Sequence, residues 1–219
     1  MTKTAIIVGS SGLTGSHLLR LLLGSEIYGK VISLVRKPSH ITDPKLEEHI
    51  IDFDDIDSYK DFIHGDDMFC CLGTTIRKAG SKDAFRKVDL TYPIQLAWIA
   101  SERGIKQLLI ISSIGANPKS GNFYLRTKGE YEEELKNIPF KSTAILRPSL
   151  LLGNRPEFRL GERISAYVMK TLSFILPSKY KPIKSEDVAK AMCNIAQKEL
   201  RGNNIYETET IKEIASKRN

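Results

Sequence analysis

The sequence is poor in the features that mark a secreted, metal-bound or membrane-spanning chain. Among its 219 residues there are only three cysteines, Cys70, Cys71 and Cys193, two of them adjacent, with no C-x-x-C. A disulfide framework and a cysteine zinc site are therefore not expected. The four histidines, His17, His40, His49 and His64, lack metal-ligand spacing, so no metal is expected either. No hydrophobic run is long: residues 164–176 fall short of the roughly 20 needed to span a bilayer and are interrupted by Lys170. The first eight residues lead into a strand pattern rather than the charged and apolar regions of a signal peptide. A cytoplasmic protein is expected. Internal repeats and low-complexity linkers are missing too, and residues 1–219 read as one domain.

Charge is plentiful but unevenly placed. The net balance is +7, yet residues 1–140 and 185–219 are each neutral, while residues 141–184 hold nine bases against two acids. An excess confined to one segment, without a recognised DNA- or RNA-binding motif, argues against a nucleic-acid partner.

What is present is alternation of strands and helices. Short apolar, β-branched runs at residues 4–8, 31–35, 67–72, 107–112 and 142–146, with a weaker candidate at 49–53, read as strands. Helices are expected over 13–23, 89–103 with Pro93 near the first turn, and 124–136. Strands alternating with helices at this spacing specify an α/β fold, a Rossmann-like doubly wound parallel sheet.

Directly after the first strand comes Gly9-Ser-Ser-Gly12-Leu-Thr-Gly15, a G-x-x-G-x-x-G loop that opens a helix. Glycines let the backbone approach a pyrophosphate, and the helix N-terminus offers unpaired N–H groups and the positive end of its dipole. The loop predicts dinucleotide binding. At the end of the second strand, where NAD-specific sites place an acid for the ribose 2′-hydroxyl, stand Arg36 and Lys37. Cations there suit a 2′-phosphate and point to NADP(H). Asp52, at the end of the third strand, either meets the adenine amino group or is one more charge in an acidic stretch.

Tyr124-Leu-Arg-Thr-Lys128 is a Y-x-x-x-K, which on a helix puts both side chains on one face, so that an ammonium can lower the phenol's pKa. Tyr180 and Lys184 repeat the spacing. Only Tyr124 follows, by about a dozen residues, a strand ending in serines, Ser112 and Ser113, either of which could bring a hydroxyl beside the phenol.

These residues resemble the short-chain dehydrogenase/reductase superfamily, and within it the atypical group of Tat-interacting-protein oxidoreductases and their bacterial relatives. The resemblance covers most of the chain. It rests on the Gly9 to Gly15 loop, Arg36-Lys37, Cys70-Cys-Leu-Gly-Thr-Thr75, Lys87-Val-Asp89, Leu109-Ile-Ile-Ser-Ser113, Tyr124 and Lys128 with Gly129-Glu130, Leu146-Arg-Pro-Ser-Leu-Leu-Leu152, and Asn154-Arg-Pro-Glu-Phe-Arg159. It implies that Ser11, Gly12, Leu13 and Thr14 touch the pyrophosphate and Arg36 and Lys37 the 2′-phosphate. Leu72 and Gly73 would line the adenosine side, and Leu151 and Arg159 the far end of the cofactor. Hydride would pass between the nicotinamide and a small carbonyl or alcohol substrate, with Tyr124 as general acid, Lys128 tuning it, and a serine holding the carbonyl oxygen. Analogy with the superfamily favours Ser113 over Ser112. The superfamily's helix asparagine is replaced here by Asp89.

Residues 148–184 are expected to form a substrate lid. Their basic, partly amphipathic stretch at 160–176 reads first as a core-facing helix, and otherwise as a surface for an anionic substrate, an acyl group or a peripheral membrane contact. Besides the oxidoreductase reading stands a binding protein that senses NADPH without turnover and presents a partner surface through its lid. Sugar-nucleotide epimerisation is disfavoured, because 219 residues leave little room for a nucleotide-sugar domain. No residue pattern specifies an oligomeric state.

Overall fold

A computed structural model describes residues 2–153, 177–198 and 200–217. Seven strands form one sheet: β1 (Lys3–Val8), β2 (Tyr28–Val35), β3 (Leu46–Ile50), β4 (Asp67–Cys70), β5 (Gln107–Ile111), β6 (Ser142–Arg147) and β9 (Gly202–Glu207), in the order β3-β2-β1-β4-β5-β6-β9. Every pairing is parallel. Two further short strands, β7 (Leu151–Leu152) and β8 (Ile183–Lys184), pair with each other beside it.

Strand periodicity divides the core in two. On β1, Ala5 and Ile7 face a cluster built with Leu18 and Leu22 of α1 (Leu13–Leu23), Val188 and Met192 of α6 (Ser185–Ala196), and Ile211 of α7 (Thr208–Ser216). Ile6 and Val8 face the opposite cluster, with Leu96 and Ala100 of α4 (Tyr92–Glu102) and Tyr131 and Leu135 of α5 (Phe123–Leu135). Because successive side chains point to opposite faces, a central parallel strand must be apolar at every position. That is why these strands read as unbroken runs rather than alternating ones.

The strand order reverses between β1 and β4, where chain connections leave in opposite directions. A crevice at the carboxyl ends of the strands follows from that topology.

Three boundaries differ from the sequence expectation. The third strand lies at Leu46–Ile50 rather than 49–53, because Glu47, Glu48 and His49 tolerate an edge position that is only half buried. β4 ends at Cys70. The helix expected from residue 89 instead continues a helical run formed by α3 (Lys82–Arg86), a π turn over Lys87–Thr91 and then α4, preceded by the short α2 (Ile76–Ala79). Pro93 is thus not in the first turn of the run. It lacks an N–H and its ring would crowd the carbonyl four residues back, that of Asp89, and the turn widens there, with the Tyr92 N–H reaching Lys87 O.

Candidate functional site

The glycine loop is built by contacts that tolerate no side chain. Gly9 adopts φ +82°, a left-handed conformation, and a Cβ on it would lie 2.7 Å from the Cys71 backbone. On Gly15 a Cβ would sit 2.1 Å from Gly9 O, so the helix can seat itself against the loop only with glycine. Gly12 N–H closes the loop onto Gly9 O at 3.0 Å, and buried Ser10 ties it to Ser33 of β2 through a 2.8 Å hydroxyl pair.

Two observations fit this loop to an anionic group. Gly12 caps α1 without any side-chain hydrogen bond, and no acidic residue stands in the first turn, so the helix dipole is uncompensated. Thr14 Oγ1 is buried and has no hydrogen-bond partner. A dinucleotide pyrophosphate supplies acceptors for both. Ser11 is exposed and Leu13 half-buried on the same loop. Gly153, beyond β7, packs so closely on this corner that a Cβ there would meet the Leu13 side chain at 2.6 Å and Ser185 Oγ at 2.8 Å.

Arg36 and Lys37 are exposed immediately after β2, at the same end of the sheet as the loop. Asp52 lies two residues past β3, exposed, where its Oδ1 accepts the Asp54 N–H at 3.0 Å. That carboxylate closes a local turn. Leu72 is half-buried and Gly73 exposed in the segment after β4, and Leu151 is half-buried in β7. Arg159, with most of the expected lid, falls outside the described residues.

Asn122 caps α5, its Oδ1 accepting the Leu125 N–H at 3.1 Å, which sets the phase of the helix carrying Tyr124. Tyr124, Lys128 and Glu132 then fall on one face at four-residue steps. Half-buried Tyr124 packs on Phe85 with the rings tilted at 54° and their centroids 5.9 Å apart. One turn on, Lys128 Nζ lies 2.8 Å from Asp89 Oδ1, with only 5% and 1% of their side chains exposed. Burial works against the Lys128 charge, but the Asp89 carboxylate together with the nearby Tyr124 and Cys70 more than offsets it, and the ammonium's pKa is raised. Asp89 Oδ2 in turn accepts the Thr74 N–H at 2.8 Å. The segment after β4, the π turn and α5 are thereby joined through one carboxylate.

A second turn along, Glu132 is buried and receives the Ser112 hydroxyl together with a fork from Arg147, whose Nε lies 3.0 and 3.1 Å from the two carboxylate oxygens. The hydrogen bonds that Arg147 donates to the Glu132 carboxylate raise its pKa above the ordinary arginine value. This network corrects the expectation that left both serines open: Ser112 is committed to holding β5, α5 and β6 together. Ser113 is half-buried, and its hydroxyl makes a 3.3 Å bond to the Ile114 carbonyl.

The sequence marks Asp89 as a substitution without its partner, carries Gly129 and Arg147 only as members of motifs with no role attached, and does not single out Glu132. Glu132 was findable from its four-residue step after Lys128. A Cβ on Gly129 would lie 2.2 Å from the Asn117 backbone, so this glycine lets the loop carrying Ser113 close onto α5. That contact has no signal in the chain. Among the described residues no three His, Cys, Asp or Glu side chains gather as a metal site requires, and no helix is long and apolar enough to cross a membrane.

Comparison with known proteins adds family context. Residues 9–199 match the family model described as NAD(P)H-binding. Protein HTATIP2 of Rattus norvegicus is 35% identical over 196 residues, covering 88% of this chain and 80% of that one. The mitochondrial protein FMP52 of Candida albicans is 32% identical over 206 residues, covering 91% and 90%. Among solved structures, the Bordetella bronchiseptica enzyme WbmH in complex with NAD+ superposes with a TM-score of 0.72 over 98% of this chain and 80% of that one. A dTDP-glucose 4,6-dehydratase from Streptomyces venezuelae does so with 0.71 over 93% and 74%. At 16% identity each, these two show the shared Rossmann-like fold.

Proposed function

Because the chain belongs to the NAD(P)H-binding family of short-chain-type oxidoreductases, we propose that it is an NADP(H)-dependent reductase or dehydrogenase of a small carbonyl or alcohol compound. The observation that carries this reading is the buried, positively charged Lys128, one helical turn from Tyr124 and tied through Asp89 to the segment after β4. A charged lysine held nearly dry by a carboxylate, one turn from a tyrosine at the carboxyl end of a Rossmann sheet, is the kind of perturbed group that gathers at functional sites.

The nicotinamide, when bound, supplies or accepts the hydride. The glycine loop and Thr14 would hold the pyrophosphate, and Arg36 and Lys37 a 2′-phosphate. Tyr124 would give its phenolic proton to the carbonyl oxygen in reduction and recover one in oxidation, while the Ser113 hydroxyl orients that oxygen. The nine bases against two acids of residues 141–184 favour an anionic substrate by charge.

Two measurements test the reading. In a fluorescence titration NADPH is expected to bind at least about tenfold tighter than NADH, a margin of roughly 1.4 kcal/mol, with Arg36→Ala removing most of it. Equal affinities would remove the NADP(H) preference. Across an aldehyde and ketone panel, Tyr124→Phe is expected to lower kcat by about a hundredfold or more. NADPH binding without Tyr124-dependent turnover would favour the sensing protein instead.

A further inference from the structure

We infer that Asp89 is a positioning residue that sets the redox preference of the bound dinucleotide, by keeping Lys128 from disfavouring its oxidised form; this rests on the dinucleotide-binding reading above. Both oxygens of the carboxylate face donors: the Lys128 ammonium at 2.8 Å and the Thr74 N–H at 2.8 Å. Neither donor can accept a hydrogen bond. An asparagine at this position would turn its NH2 group against one of them. The geometry therefore specifies a carboxylate and places a full negative charge against the lysine, both nearly dry.

The consequence is electrostatic. A buried lone lysine repels a second positive charge nearby, and low polarity lengthens the reach of that repulsion. Paired with Asp89, Lys128 keeps its three N–H donors but presents no net charge to a neighbour. Of the two forms of a nicotinamide, the oxidised ring is cationic and the reduced ring is neutral. A neutral Lys128–Asp89 unit leaves the oxidised form unpenalised, whereas a bare Lys128 would disfavour it. Asp89 thus acts through Lys128 and through charge.

The test compares the dissociation constants of oxidised and reduced NADP in the full chain by fluorescence and calorimetry. Relative to wild type, Asp89→Asn is expected to raise the ratio of the oxidised to the reduced constant roughly five- to thirtyfold. The double variant Asp89→Asn/Lys128→Met, again without net charge, is expected to bring the ratio back to within about twofold of wild type, even though both forms bind more weakly. A purely structural role would weaken both forms alike and leave the ratio unmoved in every variant. An unchanged ratio in Asp89→Asn, or the same rise in the double variant, overturns the inference. Should Asp89→Asn fail to fold, Lys128→Met alone decides: its ratio is expected at or below the wild-type value, and a rise overturns the proposal. If wild type binds neither form, the dinucleotide reading itself is lost.

Discussion

At the scale of single residues, Ser112 and Ser113 show how identical side chains one position apart receive different work. The Ser112 hydroxyl ends buried on Glu132, in a network closed by Arg147, while Ser113 stays half-buried with its hydroxyl on the Ile114 carbonyl. Removing Ser112 leaves a buried carboxylate short of one donor. Ser112→Ala is therefore expected to lower stability by about 1–2 kcal/mol in a urea melt and to change kcat/KM little. Ser113→Ala is expected to lower kcat/KM by about a hundredfold without moving the melt. The reverse pattern would reassign the hydroxyl. Asp52 is the residue-scale counterpart: expected at the end of the third strand, it lies two residues past that strand, and its carboxylate accepts the Asp54 amide.

At the scale of elements, the glycine loop and the π turn do opposite things with local geometry. The loop is legible because its spacing alone states the requirement for close approach. Gly15→Ala forces a methyl to within 2.1 Å of Gly9 O, and overpacking of this kind costs about 1–3 kcal/mol. Thermal unfolding is expected to fall by roughly 3–10 °C, with dinucleotide binding lost. A variant that binds normally would show that the loop seats differently.

The π turn was not legible. Pro93 reads in sequence as a helix starter, because proline is common in a first turn. Only the preceding α3, which runs straight into it, makes the proline an interior one. The widened turn then brings Asp89 to Lys128 of a helix some forty residues away.

At the scale of the whole molecule, the sheet has two polar ends. The carboxyl end carries the candidate site. At the amino end, buried Asp67 receives the Tyr28 hydroxyl at 2.7 Å, Gln107 Nε2 at 3.2 Å and Lys3 at 3.3 Å, joining β1, β2, β4 and β5. Gln107 also reaches Ala196 O of α6 at 2.9 Å. Burial pushes the Asp67 carboxyl and the Tyr28 phenol up.

The buried Lys128–Asp89 pair also gives stability a dependence on alkaline pH. The folded-state pKa of Lys128 is raised above its ordinary value near 10.5, so the folded chain keeps a proton that the unfolded chain releases. The pair's contribution is full below that ordinary lysine value and is lost as pH rises through the raised one. Chemical melts between pH 9 and about pH 12 are expected to show a stability decline that is shallower in Asp89→Asn/Lys128→Met. Identical slopes would mean that the pair does not titrate with unfolding.

The sequence by itself determined the Rossmann-like sheet, the phosphate-binding loop, the cations after β2 and the Tyr124–Lys128 face, because each is written in short-range spacing: apolar runs, glycines at fixed steps, and a four-residue helical repeat. It also located the positive excess in residues 141–184. What only the tertiary structure decided are the pairings across long separations: Asp89 with Lys128, Ser112 and Arg147 with Glu132, Gly129 under the Asn117 loop, and Tyr28 with Asp67. A buried charge carries no mark of its partner in the chain. The partner is chosen by which elements the fold brings within about 3 Å, where the cost of burial is offset by a hydrogen-bonded opposite charge.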